Sequence, residues 1–131
     1  MINGIINVYK ERGFTSFDVV AKLRGILHER KIGHPGTLDP EATGVLPICI
    51  GNATKVCELL TDKDKVYRTV MHLGITTDTQ DMAGTVKEDR SREAALLKEQ
   101  TVEAAILQFV GDYEQIPPMY SALKVNGKKL C

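Results

Sequence analysis

Asp39 is the residue of this sequence whose surroundings best suit a chemical role. It lies in the loop Gly33-His34-Pro35-Gly36-Thr37-Leu38-Asp39-Pro40. Pro40 disfavours helical backbone angles at Asp39, so we expect the carboxylate on a stiff, non-helical loop. The glycines of the loop leave room for a ligand to approach the main chain. A carboxylate presented in this way can act as a nucleophile or as a general base, which makes the loop the first candidate for a reactive site.

The loop alone leaves structural alternatives open. Asp before Pro is a common arrangement at the start of a helix, so Asp39 can instead be the N-cap of a helix that begins at Pro40. Glu41 is the one other acidic residue nearby, which gives little support to a hydrolase with paired carboxylates. His34 precedes Asp39 on the same loop, between a glycine and a proline. That setting is not typical of a core histidine, but the residues alone do not decide its role.

Residues 33–47, in which the loop continues as Glu41-Ala42-Thr43-Gly44-Val45-Leu46-Pro47, closely resemble the active-site motif of the TruB family of bacterial tRNA pseudouridine synthases. Further segments resemble other motifs of that family and follow in the same order. They are Lys10-Glu11-Arg12-Gly13-Phe14-Thr15-Ser16 (with Glu11 where the motif has proline), Lys65-Val66-Tyr67 with Leu73-Gly74, and Ile116-Pro117-Pro118-Met119-Tyr120-Ser121-Ala122-Leu123-Lys124. Because four motifs agree in order along the chain, chance is a poor explanation of the resemblance.

The resemblance implies an enzyme that isomerises uridine 55 in the T-loop of tRNA to pseudouridine, with Asp39 as the catalytic residue. It assigns three residues to substrate binding. His34 fills the gap that the flipped base leaves, Tyr67 stacks on the target uracil, and Lys10 supports the active site or contacts RNA. The reaction is an isomerisation without redox change, so neither a cofactor nor a metal is expected. The alternatives are a non-catalytic RNA-binding fragment and a superfamily relative that modifies another RNA, such as a guide-RNA-dependent synthase.

The resemblance also implies the fold and the domain organisation. We expect an α+β fold with a mixed, largely antiparallel sheet and flanking helices. Residues 1–131 correspond to the N-terminal portion of the catalytic domain, while the rest of that domain and a C-terminal RNA-binding domain lie outside the chain. We therefore expect this piece alone to be inactive and to self-associate through its uncovered apolar surface and strand edge.

Composition adds modest constraints. The formal net charge is zero; residues 1–35 carry six Lys or Arg and three Asp or Glu, a balance of +3 that leaves −3 for the remainder. This basic segment is compatible with phosphate contacts, and equally with a solvated helix surface. The three cysteines lack the spacing of a zinc site or a disulfide framework, so reduced thiols are expected. The sequence has neither a signal peptide nor an apolar run long enough for a membrane span, which predicts a cytoplasmic protein.

Periodicity and turn residues predict the elements that position these side chains. Helices are expected where apolar residues recur at helical spacing. The first runs over Ser16–His28, with Thr15 and Asp18 as a capping box and with Phe17, Val20, Ala21 and Leu27 at helical spacing. The second is capped by Asn52 and runs to Leu60, burying Val56, Leu59 and Leu60. The third is Thr101–Val110, with Ala105, Ile106 and Phe109 on one face, and it is ended by Gly111. Strands are expected at Gly4–Tyr9, at the alternating segment Val66–Leu73, and from Thr85 to Lys87 after a polar loop at Thr76–Gly84. Val45–Ile50 is expected to be a short apolar strand or an edge strand, because Pro47 disfavours a central position. An extended segment at Asp112–Val125 should end in a hairpin turn at Asn126-Gly127.

Overall fold

The computed structural model describes residues 2–116, 124–125 and 128–129. Its contacts divide the chain into two compact units, Met1–Tyr67 and Arg68–Cys131. Helices and antiparallel strands occur in the same chain, which confirms the predicted α+β class. All strand pairs among the described residues are antiparallel. The predicted extent of the catalytic domain stays a prediction.

The first unit is a three-stranded sheet covered on one face by a helix. Its elements are, in chain order, β1 (Gly4–Lys10), α1 (Ser16–Leu27), β2 (Ile32–Gly33), β3 (Gly44–Ile50), a 3₁₀ helix (Gly51–Val56) and α2 (Cys57–Thr61). The strand order is β1-β3-β2. Since successive residues of a strand face opposite sides of the sheet, Leu46, Ile48 and Ile50 share one face. They are buried against Val19 and Val20 of α1.

Helix α1 begins as the sequence predicts. The Asp18 N–H donates to Thr15 Oγ1 over 3.0 Å, and the Thr15 N–H donates to Asp18 Oδ2 over 2.8 Å. These two bonds form the capping box. Hydrogen bonds from the Thr15 hydroxyl and N–H hold the pKa of Asp18 below its usual value. The apolar face was predicted less well, because Phe17 is 62% exposed and Val19 is buried in its place.

Strand β3 is the central strand, so the prediction of an edge strand is wrong. Pro47 predicts an edge position because a residue without an N–H cannot donate to a neighbouring strand. In the structure β2 reaches only Ile50 and Cys49 of β3, whereas β1 pairs with its whole length, including Asn7 opposite Pro47. Pro47 therefore lies where β3 has a partner on one side only, and the proline is accommodated there.

The segment after β3 also departs from the prediction. No side chain caps the 3₁₀ helix, which follows Ile50 directly and begins at Gly51 with a φ of 60°. Asn52 is not a cap: its own N–H donates to Asn3 Oδ1 over 2.8 Å. Leu59, which was predicted to be buried, is 69% exposed.

Two cysteines lie in the first unit, and both are free thiols. Cys49 is buried in β3 and Cys57 is partly buried at the start of α2. Burial, followed by the hydrogen bond and the charge of the neighbouring Cys57, raises the pKa of Cys49 to about 11. Cys131 lies outside the described residues.

The second unit contains a hairpin and short helices. Its elements are β4 (Ile75–Thr77), β5 (Val86–Asp89), α3 (Ser91–Ala94), α4 (Glu99–Leu107), β6 (Lys124–Val125) and β7 (Lys128–Lys129). The predicted third helix and the strand after the polar loop are present with shifted ends, and α3 was not predicted. Ile106 and Phe109, expected on a packed face, are 50% and 64% exposed.

The alternating segment 66–73 is not a strand in this structure. Among the described residues it pairs with no other strand, and Val66 and Val70 are 98% and 80% exposed. At the end of the chain, Val125 pairs with Lys128, the register expected for a two-residue turn. The turn residues Asn126 and Gly127, and the segment around Pro117-Pro118, lie outside the described residues.

In the part of the chain that the structure describes, none of the helices combines the length and the apolar character needed to cross a bilayer. The cytoplasmic location stays a prediction.

Candidate active site

Lys10, at the end of β1, is buried beneath the loop that carries Asp39. Its side chain is fully buried, and Nζ donates to the main-chain carbonyls of Glu11 over 3.0 Å, Phe14 over 2.7 Å and Pro40 over 3.3 Å. Lys10 therefore ties the β1–α1 connection to the residue that follows Asp39. The predicted role was to support the active site or to contact RNA, and this geometry favours support. Its classification among the substrate-binding residues stays a prediction.

Main-chain and hydroxyl contacts brace the same loop from α1. The Gly13 N–H donates to the Pro40 carbonyl over 2.8 Å. The buried Ser16 hydroxyl accepts from the Leu38 N–H over 2.9 Å and donates to the Leu38 carbonyl over 3.2 Å. The main chain is thus held on both sides of Asp39, at Leu38 and at Pro40.

An ion pair closes the loop at the surface. Arg12 Nε donates to Glu41 Oε2 over 2.7 Å, with both side chains mostly exposed. Exposed pairs of this kind contribute about 0–1 kcal/mol. The pair therefore adds little to the stability of the fold, but it places a guanidinium beside the loop.

Asp39 itself is exposed and lies in a turn. The Ala42 N–H donates to the Asp39 carbonyl over 3.0 Å, and no helix follows Pro40. The alternative that Asp39 caps a helix is therefore wrong. Within the described residues no hydrogen bond or ion pair engages the carboxylate of Asp39. Its oxygens are available to a substrate while its main chain is fixed, an arrangement that suits a nucleophile or a general base.

His34 lies on the same loop with its ring oriented by the main chain. Nδ1 is 2.5 Å from the carbonyl oxygen of Gly36, and the ring is partly buried. A carbonyl only accepts, so Nδ1 carries the proton. In the neutral ring Nε2 is then left as an acceptor. The ring is presented in one orientation before any ligand binds.

Tyr67 is 69% exposed at the end of the first unit. The described contacts do not bring its ring onto Asp39 or His34. Two residues earlier, Lys65 Nζ donates to the carbonyls of Thr61 over 2.6 Å and Lys63 over 2.9 Å. Asp39 and His34 thus lie on one loop, and Lys10 donates to the Pro40 carbonyl of the same loop. Tyr67 lies in the segment that follows α2.

Sequence reasoning missed two supporting residues. The sequence predicts Ser16 as the first residue of a helix and as part of a motif, and Lys65 as part of a motif, without a supporting role for either. Both belong to segments that had been singled out, so the signal for them was their place in a motif rather than any pattern of polarity. No group of three or more His, Cys, Asp or Glu side chains within the described ranges is arranged to hold a metal ion.

Comparison with known proteins identifies the class first. The chain resembles a solved structure described as a Cbf5-Nop10-Gar1 complex with a TM-score of 0.60 and 29% identity, over 92% of this chain and 31% of that one. A family model described as TruB family pseudouridylate synthase (N terminal domain) matches residues 24–131. The match covers most of the chain and includes the loop of Asp39. The chain belongs to the TruB family of pseudouridylate synthases.

Curated relatives agree with this assignment. The tRNA pseudouridine synthase B of Lachnoclostridium phytofermentans is 66% identical over 129 residues, which are 98% of this chain and 41% of the relative. That of Bacillus pumilus is 53% identical over 130 residues, 99% of this chain and 42% of the relative. The chain therefore spans about two fifths of the length of the curated relatives it matches.

Proposed function

We propose that this chain supplies the catalytic loop of a tRNA pseudouridine synthase that isomerises uridine 55 in the T-loop, with Asp39 as the catalytic residue. The observation that carries the proposal is the loop of Asp39. Its main chain is held at Leu38 and Pro40, while the carboxylate is exposed and unengaged by the described residues. Catalytic groups gain from such prior orientation, because no ordering is needed when the substrate binds.

The proposed chemistry needs one carboxylate. Pseudouridine formation breaks the N1–C1′ bond, turns the uracil, and rejoins it to the sugar through C5. Atoms and electrons balance without an oxidant, a reductant or a metal. Asp39 can take part by attack on the sugar, by addition to the base, or by removal of a proton from the sugar. These three routes share the requirement for a free, negatively charged oxygen at the position of Asp39.

His34 and Tyr67 are proposed to hold the target nucleotide. Extrusion of a base from a folded RNA costs a few kcal/mol. The oriented ring of His34 can offset part of that cost by filling the vacated space. Stacking of a base on an aromatic ring contributes about 1–3 kcal/mol, and the exposed ring of Tyr67 has a face available for it. Both roles concern the flipped nucleotide and not the bond that breaks.

A relative that modifies another RNA is the second candidate, and identity favours it less. The relatives named tRNA pseudouridine synthase B are 53–66% identical to this chain, whereas the chain of the Cbf5-Nop10-Gar1 complex is 29% identical. We therefore propose tRNA as the partner and T-arm uridine as the target.

The test uses a fused enzyme in which residues 1–131 are followed by the part of the Lachnoclostridium phytofermentans relative that lies beyond the matched segment. Turnover is followed by tritium release from tRNA labelled at C5 of uridine, and binding by filter retention of the same tRNA. Asp39→Asn keeps the shape of the side chain but removes its charge and basicity. We expect turnover to fall at least about 10⁴-fold, with tRNA affinity within about threefold.

The matched control is Asp62→Asn, which makes the same change at an exposed aspartate of the same unit and should leave turnover unchanged. Turnover of Asp39→Asn within tenfold of the parent would reject Asp39 as the catalytic residue. A parent enzyme that binds tRNA without releasing tritium would support the non-catalytic alternative. Release from another RNA but not from the T-arm would support the second candidate.

A further inference from the structure

Lys65 is a side chain of the first unit that two hydrogen bonds hold and that the proposed reaction does not yet use. Its ammonium donates to the carbonyls of Thr61 and Lys63 over 2.6 and 2.9 Å. Thr61 is the last residue of α2. The last carbonyls of a helix lack partners within the helix, and a cation there is favourable. The Lys65 ammonium therefore fixes the end of α2 and the turn after it to one point.

The carbon stem of Lys65 lies beside the loop of the candidate active site. Cε of Lys65 is 4.0 Å from the position that a Cβ on Gly36 would occupy. The carbonyl of Gly36 accepts the hydrogen bond from His34 Nδ1. Lys65 thus lies next to the residue that orients the His34 ring.

Lys65 also limits where the backbone of Tyr67 can lie. Two residues of extended chain span at most about 7 Å, so an anchored Lys65 confines the backbone of Tyr67 to a small region. Residues 66–73 pair with no strand among the described residues. Within the first unit, Lys65 is the last residue before Tyr67 for which the structure records a side-chain hydrogen bond.

We propose that Lys65 is a positioning residue. It holds the His34 loop and the backbone of Tyr67 at a fixed separation, so that both side chains can contact the same flipped nucleotide. This inference rests on the function proposed above and assigns Lys65 no contact with the reacting atoms. The competing role for an exposed lysine is a phosphate contact with RNA, which requires only its charge.

The fused enzyme separates the two roles with a pair of substitutions. Lys65→Met keeps most of the stem and removes the ammonium. Lys63→Met removes the same charge two residues away, where the described hydrogen bonds involve only the main chain. A positioning role predicts that Lys65→Met lowers kcat about tenfold, less than the roughly hundredfold that a 1 Å misplacement can cost. KM should change by less than about threefold, and Lys63→Met should leave both constants within about twofold.

Rescue and spectroscopy complete the test. Lys65→Arg keeps a cation that can donate to the same carbonyls, so it should recover kcat to within about threefold of the parent. The ¹⁵N signals of the His34 ring, assigned with His34→Ala, should shift in Lys65→Met and stay in place in Lys63→Met. If Lys65→Met does not fold, Lys65→Gln undergoes the same measurements with the same expected outcome.

Three results would overturn the proposal. An equal rise in KM for Lys65→Met and Lys63→Met, with kcat unchanged and a weaker salt dependence, would make Lys65 a phosphate contact. An unchanged kcat together with unchanged His34 signals would remove any positioning role. Failure of Lys65→Arg to recover kcat would show that the carbonyl contacts are not what matters. A parent enzyme inactive on tRNA would defeat the proposed function, while the His34 signals would still test the contact.

Discussion

Replacement of Lys10 by methionine is the perturbation that most directly tests how the loop of Asp39 is held. Methionine fills much of the same volume but has no donor for the carbonyls of Glu11, Phe14 and Pro40. Of the three contacts, those at 2.7 and 3.0 Å have ordinary hydrogen-bond length and the one at 3.3 Å is weaker. The weakest contact is the one with Pro40, the residue after Asp39, so the substitution removes a hydrogen bond next to Asp39.

The expected loss of stability is moderate. Hydrogen bonds to a charged group contribute about 1.5–3 kcal/mol each, so the two shorter bonds contribute roughly 3–6 kcal/mol in total. Burial of the ammonium costs several kcal/mol, and methionine avoids that cost. We therefore expect the free energy of unfolding to fall by about 1–3 kcal/mol, which leaves a domain of ordinary stability folded.

We expect Lys10→Met to affect kcat more strongly than the free energy of unfolding. Without the Lys10 ammonium, the Pro40 carbonyl keeps only the hydrogen bond from the Gly13 N–H, so Asp39 is held less firmly, and a displacement of about 1 Å can cost roughly a hundredfold in rate. For Lys10→Met in the fused enzyme we expect kcat to fall about 10- to 100-fold at a temperature where the enzyme remains folded. Lys10→Arg should not restore turnover, because a planar guanidinium is larger than an ammonium and cannot direct its donors as an ammonium does.

Urea unfolding followed by circular dichroism gives the stability, and tritium release from labelled tRNA gives the rate. Lys55→Met, a change at an exposed lysine, is the control and should alter neither. If Lys10→Met unfolds at the parent's urea midpoint and keeps kcat within about twofold, the reasoning from the three carbonyls is refuted. Loss of tRNA affinity with kcat unchanged would instead indicate that Lys10 contacts RNA.

Three further outcomes are expected. Tyr67→Phe should keep tRNA affinity and slow turnover only if its hydroxyl moves a proton; loss of affinity would argue against stacking by the ring. His34→Ala should slow single-turnover modification of folded tRNA more than that of a loosely structured T-arm hairpin, and equal losses would count against a role in flipping. Because the pKa of Cys49 is raised from 9.0 to about 11, its thiolate disfavours the folded state. Its contribution is therefore complete below about pH 9 and lost towards pH 11. Urea unfolding of the parent and of Cys49→Ala across that range should show the difference, and parallel curves would contradict it.

The sequence predicted the local backbone of the Asp39 loop better than it predicted the elements around that loop. Asp39, His34 and Lys10 stand in short segments whose residue types have local consequences. Glycine and proline next to a carboxylate exclude a helix there, and the capping box of Thr15 and Asp18 starts α1 where expected. These effects act over a few residues, so they can be read without knowledge of the fold.

Features that depend on distant partners were predicted poorly. Strand β3 is central only because β2 pairs with it, and β2 pairs with only two residues of β3. The alternation in residues 66–73 indicates a strand, but a strand forms only beside a partner, and the described residues supply none. Lys65 shows the same limit, because its place next to Gly36 brings together residues far apart in the chain.

The departure at Glu11 explains how a motif can tolerate change while its structural purpose is kept. Where the family motif has proline, this chain contributes the main-chain carbonyl of Glu11 to the Lys10 ammonium over 3.0 Å. Any residue offers that carbonyl, so the contact places no demand on the side chain, which is exposed. Lys10 differs, because its three acceptors converge on a single buried ammonium. The loop of Asp39 thus depends on the identity of two side chains, Lys10 and Ser16, and on the path of the main chain around it, and substitutions that preserve that path should be tolerated.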